Sequence, residues 1–195
     1  MILDEVIVTN KETTKILGFN NEKKYKSINT HKGSEIVVYI KNPNKIDAKI
    51  KTVLLGVEKK KDFTVALKIK FYNKNEYNYP ADLLINSEII YYIKERKKGN
   101  VEVDISDFNI DFPKEGAFVG VECLGFIDRK GNFIDDNDMW YDFRFLLVDT
   151  PENLTFIRNS LKTNTWYNNL KLRLDEVGVK YNNYPNASFG IKVYE

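Results

Sequence analysis

GNVEVDISDFNIDFPKEGAFVGVECLGF, Gly99 to Phe126, is the most regular stretch of the chain, and its reading decides the fold. Val101, Val103 and Ile105 alternate with Glu102 and Asp104, so a strand here has one apolar and one charged face. In the second arm Val119, Val121 and Cys123 share one face, while Phe118, Gly120, Glu122 and Leu124 share the other. Pro113 and Gly116 punctuate the link, which makes it a compact corner between two strands.

The same period of two recurs on both sides of this stretch. Phe63, Val65, Leu67, Ile69 and Phe71 alternate against Thr64, Lys68 and Lys70, and Tyr141, Phe143, Phe145 and Leu147 alternate with Asp142 and Arg144. SEIVVYIK, Ser34 to Lys41, is apolar on both faces in its middle and reads as a central strand. Between Ile46 and Val57 the apolar phase shifts from Ile46/Ala48/Ile50 to Val53/Leu55/Val57, which predicts a bulge or a bend. Further strands are expected over Ile2 to Val8, over Ile89 to Ile93, and through Phe189, Ile191 and Val193. Trp166, Leu170, Leu172 and Leu174 fit one more strand face. Asp149 to Asn164 is ambiguous, since Thr150-Pro151-Glu152 can open a short helix. Asn73 to Glu88 is the longest expected loop; Glu58 to Asp62, Glu95 to Asn100, Asp128 to Asn132 and Asp135 to Asp138 are expected turns.

Roughly nine or ten strands without a long helix imply an all-β fold, an antiparallel two-layer β-sandwich of jelly-roll-like connectivity. The sandwich is expected over residues 34–195, with residues 1–33 as an N-terminal strand and a linker or arm. In 195 residues a single core of this kind is readily buried.

Two stretches carry a family resemblance. LDEVIVT, Leu3 to Thr9, resembles the strand that ends a carboxypeptidase-regulatory-like domain in exported proteins of Bacteroidetes-type bacteria. PADLLINSEIIYYIKERKKGNVEVDISDFNIDFPKEGAFVGVECLG, Pro80 to Gly125, resembles the β-sandwich module that can follow such a domain. The resemblance implies an upstream domain in the same protein and a periplasmic or cell-surface location. No catalytic motif comes with it.

Composition narrows the function classes. Thirty basic residues against 28 acidic ones give a net charge of only +2, so a broad polyanion-binding surface, and with it nucleic acid, is not expected. No apolar run approaches the ~20 residues that cross a bilayer, so no transmembrane segment is expected. MILDEVIVTN lacks the basic start and apolar core of a signal peptide. The single cysteine, Cys123, permits no intramolecular disulfide and reads as a small buried hydrophobe.

Catalytic signatures are scarce. His31 is the only histidine, so a Ser-His-Asp or Cys-His centre has one residue to draw on, and neither Ser34 nor Cys123 lies in a nucleophile elbow. A solvated loop position is the expected reading for His31. Glu102, Asp104 and Glu122 are the acids that a carboxylate-pair hydrolase would use. Asp128, Asp135, Asp136 and Asp138 read as turn chemistry, with a structural calcium as the alternative. No metal or other cofactor is expected. Exposed aromatic rings are what a sugar- or peptide-binding sandwich uses, and Tyr77, Tyr79, Trp140 and Tyr167 are the candidates, with Trp166 assigned to the core. The expected function is a non-catalytic binding or interaction module for a glycan or protein ligand. A purely structural spacer and a hydrolase with paired carboxylates stay open as alternatives.

Overall fold

Alternation along residues 53–57, 65–71 and 119–123 gives three strands one apolar face each, and these faces meet. The computed structural model describes residues 14–19, 24–135, 141–176, 178 and 182–194. Among them the strands form two packed antiparallel sheets, an all-β sandwich. Sheet one holds β1 (Thr14–Gly18), β2 (Lys24–Asn29), β4 (Ala48–Lys59), β8 (Lys97–Asp104), β9 (Ile110–Phe112), β12 (Phe143–Thr150), β14 (Tyr184–Ala187) and β15 (Phe189–Tyr194). Sheet two holds β3 (Ser34–Ile40), β5 (Thr64–Lys74), β6 (Pro80–Leu83), β7 (Ile89–Ile93), β10 (Ala117–Ile127), β11 (Phe133–Ile134) and β13 (Thr155–Asn159). The chain changes layer between β2 and β3, β3 and β4, β4 and β5, β7 and β8, β9 and β10, β11 and β12, β12 and β13, and β13 and β14, which is the jelly-roll-like connectivity.

Val53, Leu55 and Val57 of β4 belong to the same buried cluster as Leu67, Ile69 and Phe71 of β5 and Val119, Val121 and Cys123 of β10. Phe143 and Phe145 stack edge-on at 5.3 Å, and Phe145 repeats this against Phe189 at 5.3 Å. At about 1.5–3 kcal/mol for each fully buried aliphatic or aromatic side chain, this interleaved layer dominates the cohesion of the two sheets. No helix among the described residues is long and apolar enough to cross a membrane.

The two arms of residues 99–126 lie in different layers. β8 pairs with β4 in sheet one, and β10 pairs with β3 and β5 in sheet two. The corner between them is built locally: Asp104 Oδ1 accepts the Ser106 N–H at 2.9 Å, and a 3-10 turn, Ser106–Phe108, ends at Asn109 in the left-handed region. Gly116, at φ 100°, completes it, because an added Cβ would stand 2.3 Å from the Ile40 carbonyl oxygen. The phase shift expected in β4 is present too. The register with β15 jumps from Thr52↔Lys192 to Ile50↔Val193, so Lys51 is the bulged residue.

Three expectations change and one ambiguity is resolved. Within residues 1–33, β1 and β2 are strands of sheet one, paired with β15 and β12, so the sandwich begins before residue 34. Their polar sequences suit edge positions, where among the side chains whose burial is described only Leu17 is buried and backbone pairing supplies the rest. Ile2 to Val8 and its LDEVIVT motif lie outside the described residues. Within the ambiguous segment 149–164, residues 155–159 are a strand. Residues 170–176 are a helix, α1 (Leu170–Glu176), rather than a strand. Leu170 and Leu174 are buried and Leu172 is 58% exposed, so the side chains follow the i, i+4 spacing of a helix face. The expected long loop, finally, contains β6.

The crossing from β12 to β13 is held by Asn186, which is wholly buried. Its amide nitrogen donates to Thr150 Oγ1 and to the Glu152 carbonyl, both at 2.7 Å, and its oxygen accepts the Leu154 N–H at 2.8 Å. Thr155 Oγ1 accepts the neighbouring Ala187 N–H at 3.0 Å. Removing the amide strands several buried polar groups at once. Asn186→Ala is therefore expected to cost about 2–3 kcal/mol, read as a lower urea midpoint at unchanged slope.

Candidate binding face

The outer face of sheet two carries a second buried cluster, and its pattern follows from strand register. Phe118 stands across from Tyr39 and Tyr72, Gly120 from Val37 and Lys70, and Glu122 from Glu35 and Lys68. On the far strand Phe156 stands across from Val37 and Arg158 from Glu35. One end of the face is thus aromatic and the other charged, with Gly120 between them. A Cβ at Gly120 would lie 2.8 Å from Val37 Cγ1 and 3.3 Å from Tyr72 Cε2. Its absence lets the Tyr72 ring cross β10 and give its hydroxyl to Glu35 Oε1 on β3, at 2.5 Å.

The charged end is closed and compensated. Glu35 is 0% exposed, and its Oε2 accepts Arg158 Nε at 2.9 Å and lies 3.3 Å from Lys70 Nζ. Lys70 also pairs with Glu122 at 2.6 Å, and Ser160 Oγ donates to Glu122 Oε1. Arg158 Nη2 donates to the Tyr72 hydroxyl oxygen at 3.1 Å, and the guanidinium lies 4.1 Å from the Trp166 ring centroid. Trp166 therefore caps this cluster on the outer face instead of filling the central core. Burial, then the Glu35 charge, raises the Tyr72 phenol far above its ordinary range. Burial pushes the Glu122 carboxyl up, but the bonds from Lys70 and Ser160 outweigh it and hold that carboxyl below its ordinary 4.5. A general acid needs the opposite shift. Glu102 and Asp104 stand on β8 in the other sheet, so the acids singled out for hydrolysis do not share a cleft with Glu122.

His31 is not the solvated loop residue expected. Asn159 Oδ1 accepts the Leu161 N–H at 3.1 Å, so its amide nitrogen faces His31 Nε2, at 3.2 Å, and donates to it. On the other side of the ring Nδ1 lies 2.8 Å from Ser34 Oγ. The pair pins a turn against β13.

The aromatic end opens into a cleft of about 510 Å³. Tyr39, Phe118 and Phe156 line it from the sheet, and Tyr77, Asn78 and Tyr79 from the turn between β5 and β6. Asn75 Oδ1 shapes that turn by accepting the N–H groups of Tyr77 and Tyr79 at 3.0 and 2.9 Å. Tyr79 packs edge-on against Phe156 at 4.9 Å, while Tyr77 is 72% exposed. Asn153 and Asn168 border the cleft, with Asn153 Nδ2 bonded to the Asn168 carbonyl at 2.7 Å. Lys74 Nζ sits 4.8 Å from the Tyr39 ring centroid, and a Lys41–Glu152 ion pair of 2.5 Å closes the rim.

Of the aromatic candidates, Tyr77 and Tyr79 converge here. Tyr167 does not: its backbone bridges Ile157, on the side of β13 opposite Phe156, and its ring lies near Arg173. Trp140 lies outside the described residues, as do Asp136 and Asp138. Asp128 closes a hairpin turn, its Oδ1 accepting the N–H groups of Lys130 and Asn132. Among the described residues no three His, Cys, Asp or Glu side chains group to hold a metal ion. Tyr39, Phe118 and Phe156 were missed by the sequence reading, although the doubly apolar middle of SEIVVYIK already signals a second covered face. Compared with protein-family models, curated proteins and solved structures, the chain matches none of them.

A depressed carboxyl fixes the sign of a pH effect. The stability that Glu122 contributes is fully present above its unfolded value near 4.5 and is lost as pH falls through its lower folded value. Urea midpoints of the wild type are expected to drop across this acidic window more steeply than those of Glu122→Gln.

Proposed function

We propose that the chain is a binding module and that a glycan is its ligand, laid across the cleft at the aromatic end of sheet two. One observation carries this reading: Tyr77 and Tyr79 converge with Tyr39, Phe118 and Phe156 on a single concavity. Flat rings cover the apolar faces of sugars at low entropic cost. Three asparagine side chains, Asn78, Asn153 and Asn168, supply the neutral donors and acceptors that suit hydroxyl groups. A peptide side chain would call for a deeper, drier pocket than one whose most prominent ring, Tyr77, stands mostly in solvent. The resemblance over residues 3–9 and 80–125 supports placement of the module in an exported bacterial protein, behind an upstream domain.

Tyr77 touches the core least, so its loss separates binding from folding. On a glycan array followed by titration of the best hit, Tyr77→Ala is expected to weaken affinity roughly tenfold at an unchanged melting temperature. Silence of the wild type across a broad array would overturn the glycan reading.

A further inference from the structure

IIYYI, Ile89–Ile93, forms β7 at the edge of sheet two. It pairs with β5 on one side in an unbroken register from Ile69↔Ile89 to Val65↔Ile93, and no described strand pairs with its other side. Edge strands are ordinarily blunted by a proline, an inward charge or a bulge. The neighbouring β6 has two of these, Pro80 and a register shift; β7 has none. Its outward side chains are apolar and uncovered, with Ile90 42% and Tyr92 48% exposed. A cleft of about 570 Å³ runs beside it, walled by Tyr91, Tyr92 and Ile93 on one side and Asn100, Val101 and Glu102 of β8 on the other. The strand end is fixed, because the buried Lys59 ammonium donates to the Lys94 carbonyl at 3.0 Å.

We propose that β7 pairs antiparallel with β7 of a second copy of this chain, about a two-fold axis through Tyr91. The sequence along the outer row is self-complementary under that axis. Ile90 then faces Tyr92 of the partner subunit, an aliphatic–aromatic cross-strand pair formed twice. Glu88 faces Lys94 of the partner subunit, also twice, so every charge in the row meets its opposite. Glu88 already receives the Lys68 ammonium of its own chain, and its second oxygen is available for the partner's Lys94. A shift of register by two residues would set Glu88 against Tyr92 of the partner subunit and lose the match, so the charges specify the alignment. The two seven-stranded sheets join into one continuous sheet, and both edges vanish. This inference is independent of the glycan reading.

Sedimentation velocity over a concentration series tests it. The wild type is expected to show a monomer–dimer equilibrium. Glu88→Lys and Lys94→Glu should each weaken it roughly tenfold, because two-fold symmetry doubles each like-charge contact. The double variant Glu88→Lys/Lys94→Glu, which recreates the pair with reversed sign, should restore it. Circular dichroism of all three variants guards against misfolding, and Ile90→Lys should leave a folded monomer. A wild type that stays monomeric throughout, a dimer indifferent to the single swaps, or a double variant no tighter than the singles would each overturn the proposal.

Discussion

A carboxylate wholly removed from water is the constraint around which sheet two is arranged. Unpaired, the Glu35 charge would cost several kcal/mol, and its partners come from two other strands. Arg158 reaches it from β13, Lys70 and Tyr72 from β5, across a β10 that carries no side chain at position 120. Each partner needs the right register, so one buried acid ties the order β13–β3–β10–β5 to a single alignment. Ser160 and Trp166 then close over the cluster. What the closure leaves open is the aromatic end, and the cleft is there.

The cleft and the ion network are thus two halves of one face with opposite treatments of water. At the charged end Glu35 and Glu122 are matched by Arg158, Lys70, Tyr72 and Ser160 and the groups are packed together, which yields rigidity. At the aromatic end Tyr39, Phe118 and Phe156 form a buried floor, and a hairpin turn held by Asn75 sets the exposed Tyr77 beyond the sheet. A ligand meeting this end finds rings already in position, so little ordering is needed on contact.

The sandwich was legible because its central strands alternate strictly, and burial enforces the alternation: Val119, Val121 and Cys123 face the core as their spacing implies. The bulge at Lys51 was legible for the same reason. Where local pattern and tertiary pairing part, the reading fails. Leu170, Leu172 and Leu174 satisfy a period of two, yet only the first and last are buried, and a helix supplies that spacing equally well. Residues 14–29 look like a linker since edge strands draw on backbone bonds to β15 and β12, which side-chain pattern does not record. For the candidate site, Tyr77 and Tyr79 stood out as exposed rings in a loop, while the sheet residues completing the cleft are separated from them by dozens of positions. Tyr167 had the same chemistry as these two but sits on the other side of its strand. Only register brings such residues together.

The pairing of β1 with β15 joins Leu17 to Ile191, strands far apart along the sequence. On a ribosome, residues 14–18 emerge well before 189–194 and must wait for them before their edge of the sheet exists. Early intermediates accordingly expose an unfinished border, and assembly of this layer is governed by distant rather than neighbouring partners, the regime of slow folding. This layer of a nascent chain stays unfinished until β15 is in place.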